Sequence, residues 1–296
     1  MGESLHDEKA PGGSIAMVSV PNLRDLGGWR VRGGGCVRRG QVFRSAALAD
    51  ADGAGVEALT ALGVRTVFDL RTEAERVAQP DRVPPGADLV ARDVFGDDMG
   101  TAFGLPAELQ SALPAEMRGA SPADLVGLLS RSGPVLEFLG GGRAARMLAK
   151  GYRGIATLPG ACAAYGTLFA DLAQAERRPA LLHCTTGKDR AGWAAAALLL
   201  LLGVSDADVM ADYLLTNEQL LPAMQPLFDR FTAAGGDPDV LHALLGARAE
   251  YLEAALDEMS SRFGTVGRYF EDGLGVDADR LSALRTALID RAGAPA

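Results

Sequence analysis

The 296-residue sequence predicts an α/β fold with a mostly parallel central sheet flanked by helices. Two short apolar segments, "VRTVFDLR" (64–71) and "RPALLHC" (178–184), have the length and composition of buried strands. Helical patterns with capping residues lie between such segments, and this alternation is typical of a parallel sheet. We expect one domain over 17–296, preceded by a disordered tail at 1–16.

The first half of the chain contains further short elements of both kinds. The glycine-rich "VPNLRDLGGWRVRGGG" (20–35) predicts a loop, and "GQVFRSAAL" (40–48) a short strand and turn. "DADGAGVEALTALG" (50–63) predicts an amphipathic helix ended by Gly63, "TEAERV" (72–77) the start of another, and "DLVARDVF" (88–95) a strand. Residues 96–140 carry many Gly and Pro residues, which predicts an irregular, mobile insert.

The second half of the chain is mainly helical in pattern. Helices are expected over about 142–153 and 158–176, before the strand that ends at Cys184. Further helices are expected at 190–202 and 205–220, and a long one at 237–261. "RYFEDGLGVDADRLSALRTALID" (268–290) predicts a closing helical hairpin.

Charge and cysteine content restrict the class of protein. A net charge of −9 argues against a general nucleic-acid or anionic-membrane binder. The longest apolar run, Ala191–Val204, is shorter than the roughly 20 residues that cross a bilayer, so we expect no stable membrane insertion. Three scattered cysteines form no disulfide framework, and the acidic start lacks a secretory apolar core. We expect a cytoplasmic monomer or weak homodimer, with export by an unusual route left open.

The segment "HCTTGKDRAG" (183–192) crowds reactive and charged residues between a predicted strand and a predicted helix. Cys184 ends the strand, Arg190 opens the helix, and Gly187 lets the backbone curl between them. Successive N–H groups and the helix N-terminus then face one anion. A thiol in such a place is expected to be a thiolate at neutral pH, and Arg190 can grip two phosphate oxygens. The pattern predicts nucleophilic attack on phosphorus.

Three other interpretations of this segment are weaker. A nucleotide P-loop requires Ser or Thr after its lysine, but Asp189 follows Lys188. A zinc site lacks companions, because the other histidines are His6 and His242. A buried structural cysteine would leave the charged residues of the loop unexplained.

Several segments together resemble one known family. "HCTTGKDRAGW" resembles the phosphate loop of cysteine-dependent protein tyrosine phosphatases, and most closely that of their bacterial branch. "NLRDLGG", "VFRSAAL", "VFDLRTEAE" and the helices after the loop are similar to that branch in the same order, over roughly 20–290. The resemblance implies a phosphatase that needs no cofactor or metal and acts on a phosphorylated protein or a small phosphate ester. It also implies a helical lid over about 205–261, which ordinary helix packing explains equally well.

The resemblance assigns a role to each residue of the loop. Cys184 is the nucleophile that forms a phosphocysteine, Arg190 clamps the phosphate and the transition state, and His183 orders the loop and supports the thiolate. Lys188 reaches a second phosphate or an acidic headgroup, or is a solvated rim charge. The residues expected to bind the substrate phosphate are Thr185, Thr186, Gly187, Lys188, Asp189 and Ala191.

Turnover also requires a general acid that protonates the leaving oxygen. The family places an aspartate on a loop after the strand that follows "DLR", and here that region reads "ARDVFGDDMG" (91–100). Asp97 is the first candidate, followed by Asp98 and Asp93, with Asp189 of the phosphate loop as a rival. The alternative is that "GDD" is only a solvated turn.

Arginines of the matched motifs are expected to support the pocket. Arg24, Arg44 and Arg71 would pair mainly with nearby carboxylates, since buried arginines are normally paired. The partners we expect are Asp25, Asp69 and Asp189.

One residue departs from the family pattern. Ala191 stands where the family has Ser or Thr, whose hydroxyl eases breakdown of the phosphocysteine; Thr185 or Thr186 would have to substitute. The predicted function is therefore a protein tyrosine or dual-specificity phosphatase, with a phosphatase of phosphoinositides or small metabolites as the alternative. A phosphate-ester-binding module with impaired turnover also stays open, as does a sulfurtransferase or redox thiol enzyme.

Overall fold

The structure is a computed structural model that describes residues 10–96, 121–131 and 133–291. Within these ranges a five-stranded sheet runs in the order β1-β3-β6-β4-β5. Its strands are β1 Arg24–Asp25, β3 Val42–Ser45, β4 Thr66–Asp69, β5 Asp88–Ala91 and β6 Ala180–His183, and β2 Cys36–Val37 pairs separately with β7 Ile289–Asp290. Within the five-stranded sheet only the short edge strand β1 is antiparallel, so the α/β prediction with a mostly parallel central sheet is confirmed.

The central strands β3, β4 and β6 are buried on both faces, whereas the edge strand β5 is largely exposed. Neighbouring residues of a strand point to opposite sides, so Val67 and Leu181 lie in one apolar cluster with Phe43, whereas Phe68 and Leu182 lie in another. Helices cover both sides, which explains why β4 and β6 read as continuous apolar runs.

The register of the strands places the loop after β6 at the centre of the sheet. Ser45 of β3 and Asp69 of β4 both pair with His183, the last residue of β6. Because these three parallel strands end level, the chain leaves β6 between the loops that follow its two neighbours. Ligands of parallel α/β sheets bind at this carboxyl edge.

The helices surround the sheet and extend beyond one end of it. They are α1 Gly53–Ala61, α2 Glu73–Ala78, α3 Pro122–Leu129, α4 Gly133–Leu139, α5 Arg143–Thr157, α6 Pro159–Leu172, α7 Arg190–Leu202, α8 Asp206–Ala233, α9 Pro238–Leu245, α10 Ala249–Phe263, α11 Val266–Arg268 and α12 Ala278–Leu288. A π-helical turn, Tyr269–Gly273, follows α11.

Four sequence expectations differ from the structure, and the first three concern the insert, the helix after α7 and the N-terminal tail. Part of the insert expected to be irregular at 96–140 forms α3 and α4, and α3 begins with a Ser121–Asp124 capping box. The helix expected at 205–220 continues to Ala233 through two prolines, because its later turns bury Leu227 and Phe231 against α9. The chain from Ser14 onward also joins the fold, since Ser14 forms a β-bridge with Arg24.

The long helix expected at 237–261 is in fact two helices, α9 and α10. The chain is extended at Gly246, and a side chain there would lie 2.7 Å from the carbonyl oxygen of His242. Asn217 of α8 accepts from the Ala247 N–H and donates to the Ala247 carbonyl, so it satisfies the backbone at the break. Tertiary contacts therefore end α9.

No single helix among the described residues is long and apolar enough to cross a membrane. The bent pair α5 and α6, which meet at 56°, satisfies that requirement only when the two are taken together.

Candidate active site

The loop between β6 and α7 is shaped by a glycine. Gly187 has a φ of +69°, and a Cβ atom there would lie only 2.3 Å from the carbonyl oxygen of Ser45. A side chain is excluded for both reasons. The loop can therefore curl tightly against the end of β3.

The carbonyl groups of residues 185–190 all accept hydrogen bonds from surrounding donors. These come from four separate parts of the chain, so the loop is held from several sides. The pairs are Thr185 O with Ala47 N, Thr186 O with Asn22 Nδ2, Gly187 O with Arg44 Nη2, Asp189 O with Trp193 N, and Arg190 O with the Tyr165 hydroxyl. Arg44 also donates to Lys188 O at 3.5 Å.

The N–H groups of the same loop are arranged differently. Within the described part of the chain, no protein acceptor takes a hydrogen bond from the backbone N–H of residues 185–190. These N–H groups lie at the start of a helix, and the carbonyl groups beside them accept hydrogen bonds from other partners. An arrangement of this kind binds an anion.

Asn22 supports the loop and was not among the residues predicted from the sequence. It is the one non-glycine residue of the described chain with a positive φ, +62°, and it donates 3.1 Å to the Thr186 carbonyl while accepting from Arg24. Asparagine adopts this backbone conformation more readily than most non-glycine residues do, so the asparagine that begins "NLRDLGG" was a signal present in the sequence.

His183 is the last residue of β6, and Cys184 is the first residue of the loop that follows. Both are buried, with 1% and 0% of their surface exposed. Nδ1 of His183 is 3.3 Å from the Cys184 carbonyl oxygen. The histidine thus holds the backbone from which the thiol projects.

Arg190 is held by Glu75, another residue that the sequence analysis missed. The two Nη atoms of Arg190 donate to the two carboxylate oxygens of Glu75 at 2.6 and 2.7 Å. Burial raises the pKa of Glu75, but the Arg190 charge outweighs it and lowers the pKa to about 2. Despite its own burial, Arg190 has a raised pKa because of Glu75. The guanidinium also lies 5.5 Å from the Phe95 ring, so its plane is fixed.

A cavity of about 180 Å³ opens over this loop. One wall is polar and contains Arg190, Asp189 and the two threonines of the loop. The other wall is mainly apolar and comes from Phe95, Pro122, Leu125, Leu244 and Leu245. The C-terminal end of α9 and the start of α3 therefore form this wall. Of the two, α9 belongs to the segment expected to form a lid.

Lys188 is neither solvated nor at the rim. It is fully buried, and its Nζ donates to the carbonyl oxygens of Leu244 at 2.6 Å and Gly246 at 3.2 Å. Nζ also lies 3.3 Å from Oδ1 of Asp189. The solvated-rim interpretation is wrong, since Lys188 links the phosphate loop to the end of α9.

The candidates for the general acid differ in what the structure shows. Asp97 and Asp98 lie outside the described residues. Asp93 accepts from the N–H groups of Phe95 and Gly96 and so closes a turn. Asp189 lines the cavity. Among the described carboxylates, Asp189 and the Arg190-bound Glu75 line the cavity.

The supporting arginines are paired, as expected, but largely with other partners. Arg24 and Arg44 both pair with Asp212 of α8, at 3.3 and 3.1 Å. Arg71 pairs with Asp69, as predicted, and also with Asp81. Burial and Arg44 together lower the pKa of Arg24 to about 10, against the effect of Asp212.

The two other predicted partners are engaged elsewhere. Asp25 accepts from the Gly27 and Gly40 N–H groups, and Asp189 contacts Lys188. The expectation that Asp25 and Asp189 pair with these arginines is therefore wrong. Asp212 lies far from Arg24 and Arg44 in the sequence. It belongs to α8, which the sequence analysis predicted only as part of a lid.

One group of described side chains has the composition of a metal site. Ligand atoms of Asp69, Asp81 and His183 lie within 4.8 Å of one another. Both carboxylates are paired with Arg71. The Arg71 guanidinium therefore already supplies a positive charge to both carboxylates. We interpret this group as a cluster of paired charges and not as a metal site.

Ala191 is fully buried in the first turn of α7. The hydroxyl of Thr185 does not replace the missing hydroxyl, because it donates to Glu75 and accepts from Arg190. Thr186 lines the cavity, and its hydroxyl is the remaining candidate in the loop to replace the missing one.

Comparison with known proteins agrees with this geometry. A family model described as the tyrosine phosphatase family matches residues 15–290. A protein of Cupriavidus necator named as a candidate tyrosine-protein phosphatase is 30% identical over 269 residues, 90% of this chain and 86% of that one. The triple specificity protein phosphatase PtpB of Mycobacterium tuberculosis is 30% identical over 272 residues, 86% of this chain and 92% of its own length. The resemblance seen in the sequence is confirmed.

Proposed function

The chain belongs to the tyrosine phosphatase family, and on that premise we propose that Cys184 and Arg190 carry its phosphomonoester hydrolysis. The family is one of phosphoric monoester hydrolases that act through a phosphocysteine on phosphorylated substrates. What is proposed for this chain is which residues perform the reaction and which phosphate ester it takes.

One observation carries the assignment of the site. The carbonyl groups of the loop are tied to outside donors, whereas its N–H groups have no described protein acceptor. The three non-bridging oxygens of a phosphate placed against Cys184 would accept hydrogen bonds from these N–H groups. The hydrogen bonds would be strongest in the transition state, where negative charge develops on the oxygens.

The reaction then follows from the positions of the groups. The Cys184 thiolate attacks phosphorus, the bond from phosphorus to the leaving oxygen breaks, and a general acid protonates that oxygen. A water molecule next attacks the phosphocysteine, and the P–S bond breaks to return the thiolate and release phosphate. Arg190, fixed by Glu75 and Phe95, stabilises the phosphoryl oxygens in both steps.

The cavity favours an aryl phosphate. Its apolar wall of Phe95, Leu125 and Leu244 suits the ring of a phosphotyrosine. A phosphoinositide or a sugar phosphate would place further polar groups against this wall. Lys188, the cation first considered for a second phosphate, is held by two backbone carbonyls. We therefore propose a protein tyrosine or dual-specificity phosphatase.

The candidates that remain for the general acid are Asp97, Asp98 and Asp189. Asp97, the first candidate, follows the cavity residue Phe95 by two positions. Asp189 is favoured by a direct observation, since it lines the cavity. Replacement of the true acid by Asn should slow phenyl phosphate more than an activated aryl phosphate, whereas the other variant should affect both alike. Equal loss on both substrates in Asp97→Asn and in Asp189→Asn would exclude both residues.

The test of function is phosphate release in the presence of a chelator. Substrates should include a phosphotyrosine peptide, a phosphoserine peptide, a phosphoinositide and a sugar phosphate, with Cys184→Ser as the control. We expect the phosphotyrosine peptide to react fastest and the control to be inactive. Faster release from the phosphoinositide would contradict the substrate proposal, and an active control would contradict the nucleophile.

A second candidate function rests on Ala191. If the phosphocysteine breaks down very slowly, the protein binds and traps a phosphate ester without turnover. Rapid-mixing kinetics separate the two, since one equivalent of product followed by no further release would indicate the binding module. A cytoplasmic location and a monomeric or weakly dimeric state remain predictions from the sequence.

A further inference from the structure

We propose that Asp212, near the start of α8, is a positioning residue for the phosphate loop, because it holds the two arginines that set the direction of the loop's N–H groups. The inference rests on the proposed role of that loop in binding phosphate. It gives α8, which was expected only as part of a lid, a role in supporting the loop from the side of the sheet.

Asp212 lies between two buried arginines. Its side chain is 2% exposed, and the side chains of Arg24 and Arg44 are fully buried. Oδ1 accepts from Arg24 Nε at 3.3 Å, and Oδ2 accepts from Arg44 Nη1 at 3.1 Å. The backbone carbonyl of Asp212 also accepts from Arg24 Nη2 at 2.9 Å. One residue of α8 thereby holds both guanidinium groups.

Arg44 transmits this constraint directly to the loop. While its Nη1 is held by Asp212, its Nη2 donates to the carbonyl of Gly187 and, at the longer distance of 3.5 Å, to that of Lys188. A guanidinium is planar and rigid, so holding one Nη atom determines where the other Nη atom points. Asp212 therefore directs Arg44 toward these two carbonyl groups.

Arg24 reaches the loop through Asn22. Nη1 of Arg24 donates to the side-chain oxygen of Asn22, and Asn22 Nδ2 donates to the Thr186 carbonyl at 3.1 Å. Gln219, two turns after Asp212 on α8, holds the same pair, because its side-chain oxygen accepts from Arg24 at 3.2 Å and its backbone carbonyl accepts from the Asn22 N–H. Both routes from the loop thus end on α8.

The held carbonyl groups determine where the N–H groups point. In a planar trans peptide the carbonyl oxygen and the N–H of the next residue point in opposite directions. The carbonyl groups of residues 186–188 are turned toward Asn22 and Arg44, so the N–H groups of residues 187–189 are turned the other way. Three of the N–H donors proposed to bind phosphate are therefore directed by the contacts of Asp212.

The charges of this cluster give the effect of Asp212 a definite sign. Burial raises the pKa of Asp212, but Arg24 and Arg44 together hold it below its ordinary value, so the residue is a carboxylate at neutral pH. Among the described residues it is the one carboxylate within 4.0 Å of either guanidinium. Asp212→Asn would leave one more positive charge beside the loop. Charge alone would then tighten phosphate binding, whereas loss of positioning would weaken it.

Isothermal titration calorimetry with inorganic phosphate at neutral pH measures this sign. We expect Asp212→Asn to bind phosphate about tenfold more weakly than the wild type, the scale of one hydrogen bond that involves a charged group. The control is Glu218→Gln, which removes a negative charge from an exposed position of the same helix and should bind like the wild type. Equal or tighter binding in Asp212→Asn would overturn the proposal.

Proton–nitrogen NMR identifies which N–H groups are affected. In the wild type, saturating phosphate should shift the amide signals of residues 187–190. In Asp212→Asn the shifts at 187–189 should shrink, whereas the shift at Arg190 should persist, because the carbonyl that precedes it is held by the Trp193 N–H. An equal loss at all four residues would indicate general disorder of the loop and would contradict the proposal.

A double variant shows whether Asp212 acts through Arg44. Arg44→Lys keeps the positive charge, but one Nζ cannot join Asp212 to both carbonyl groups. This variant should weaken phosphate binding by itself, so it provides the test even if Asp212→Asn does not fold; wild-type affinity would overturn the proposal. In the Arg44→Lys background, Asp212→Asn should weaken binding less than it does in the wild type, and an undiminished effect would contradict the proposal.

Failure of this inference is distinguishable from failure of the proposed function, because binding of inorganic phosphate does not depend on turnover. An active Cys184→Ser would refute the proposed function and leave the comparison of phosphate affinities unchanged. Wild-type phosphate affinity in Asp212→Asn would refute the role of Asp212 and leave Cys184 as the proposed nucleophile.

Discussion

Replacement of Glu75 by Gln should destabilise the fold and misplace Arg190. The carboxylate accepts both Nη atoms of Arg190 and also the Thr72 N–H, so it closes a capping box at the start of α2. The pKa of Glu75 falls from 4.5 to about 2, which corresponds to about 3 kcal/mol at neutral pH. Breaking a buried ion pair by removing one partner typically costs about 3–5 kcal/mol. We therefore expect a loss of about 3 kcal/mol.

Chemical denaturation of both proteins as a function of pH measures this loss. Because the folded-state pKa is the lower one, the contribution of Glu75 is complete above pH 4.5 and is lost as pH falls toward 2. The difference between wild type and Glu75→Gln should shrink over the same interval. Glu73→Gln, an exposed change in the same helical turn, is the control and should be near neutral. A Glu75→Gln variant as stable as this control at neutral pH would refute the reasoning.

Three other substitutions test the loop and its surroundings. Ala191→Ser places a hydroxyl where the family has one, so it should raise the steady-state rate and reduce the burst in rapid-mixing kinetics; an unchanged burst would contradict this. Gly187→Ala should cost more than about 2 kcal/mol in denaturation, because the positive φ and the contact with Ser45 both oppose a Cβ, and wild-type stability would contradict the loop geometry. Lys188→Met removes the donor to Leu244 and Gly246, so hydrogen exchange at the end of α9 should accelerate; unchanged exchange would show that Lys188 does not hold α9.

Local sequence patterns predicted the parts of the fold that depend on local physics. The buried strands β4 and β6, the turn at Gly187 and the start of α7 at Arg190 were all readable, because apolar runs, glycine and charge placement determine them within a few residues. Cys184 and Arg190 could be proposed together for the same reason, since five residues separate them.

What the sequence could not predict are contacts between distant segments. Glu75 and Arg190 are 115 residues apart, and Arg24 and Asp212 are 188 apart. No short pattern joins such pairs, although "TEAERV" indicated the start of the helix that carries Glu75. The break at Gly246 depends on Asn217, a tertiary contact. The helix at Pro122 was readable in principle, because proline is common in the first turn of a helix; the density of Gly and Pro around it favoured an irregular segment instead.

The most direct test of the site is capture of the phosphocysteine. Wild-type protein mixed with an aryl phosphate and quenched in acid within one turnover should gain the mass of one phosphoryl group, and the modified peptide should contain Cys184. Cys184→Ser should gain none, and Ala191→Ser should accumulate less than the wild type. Phosphorylation at another residue, or phosphate release with no adduct at Cys184 in either the wild type or Ala191→Ser, would contradict the proposed mechanism.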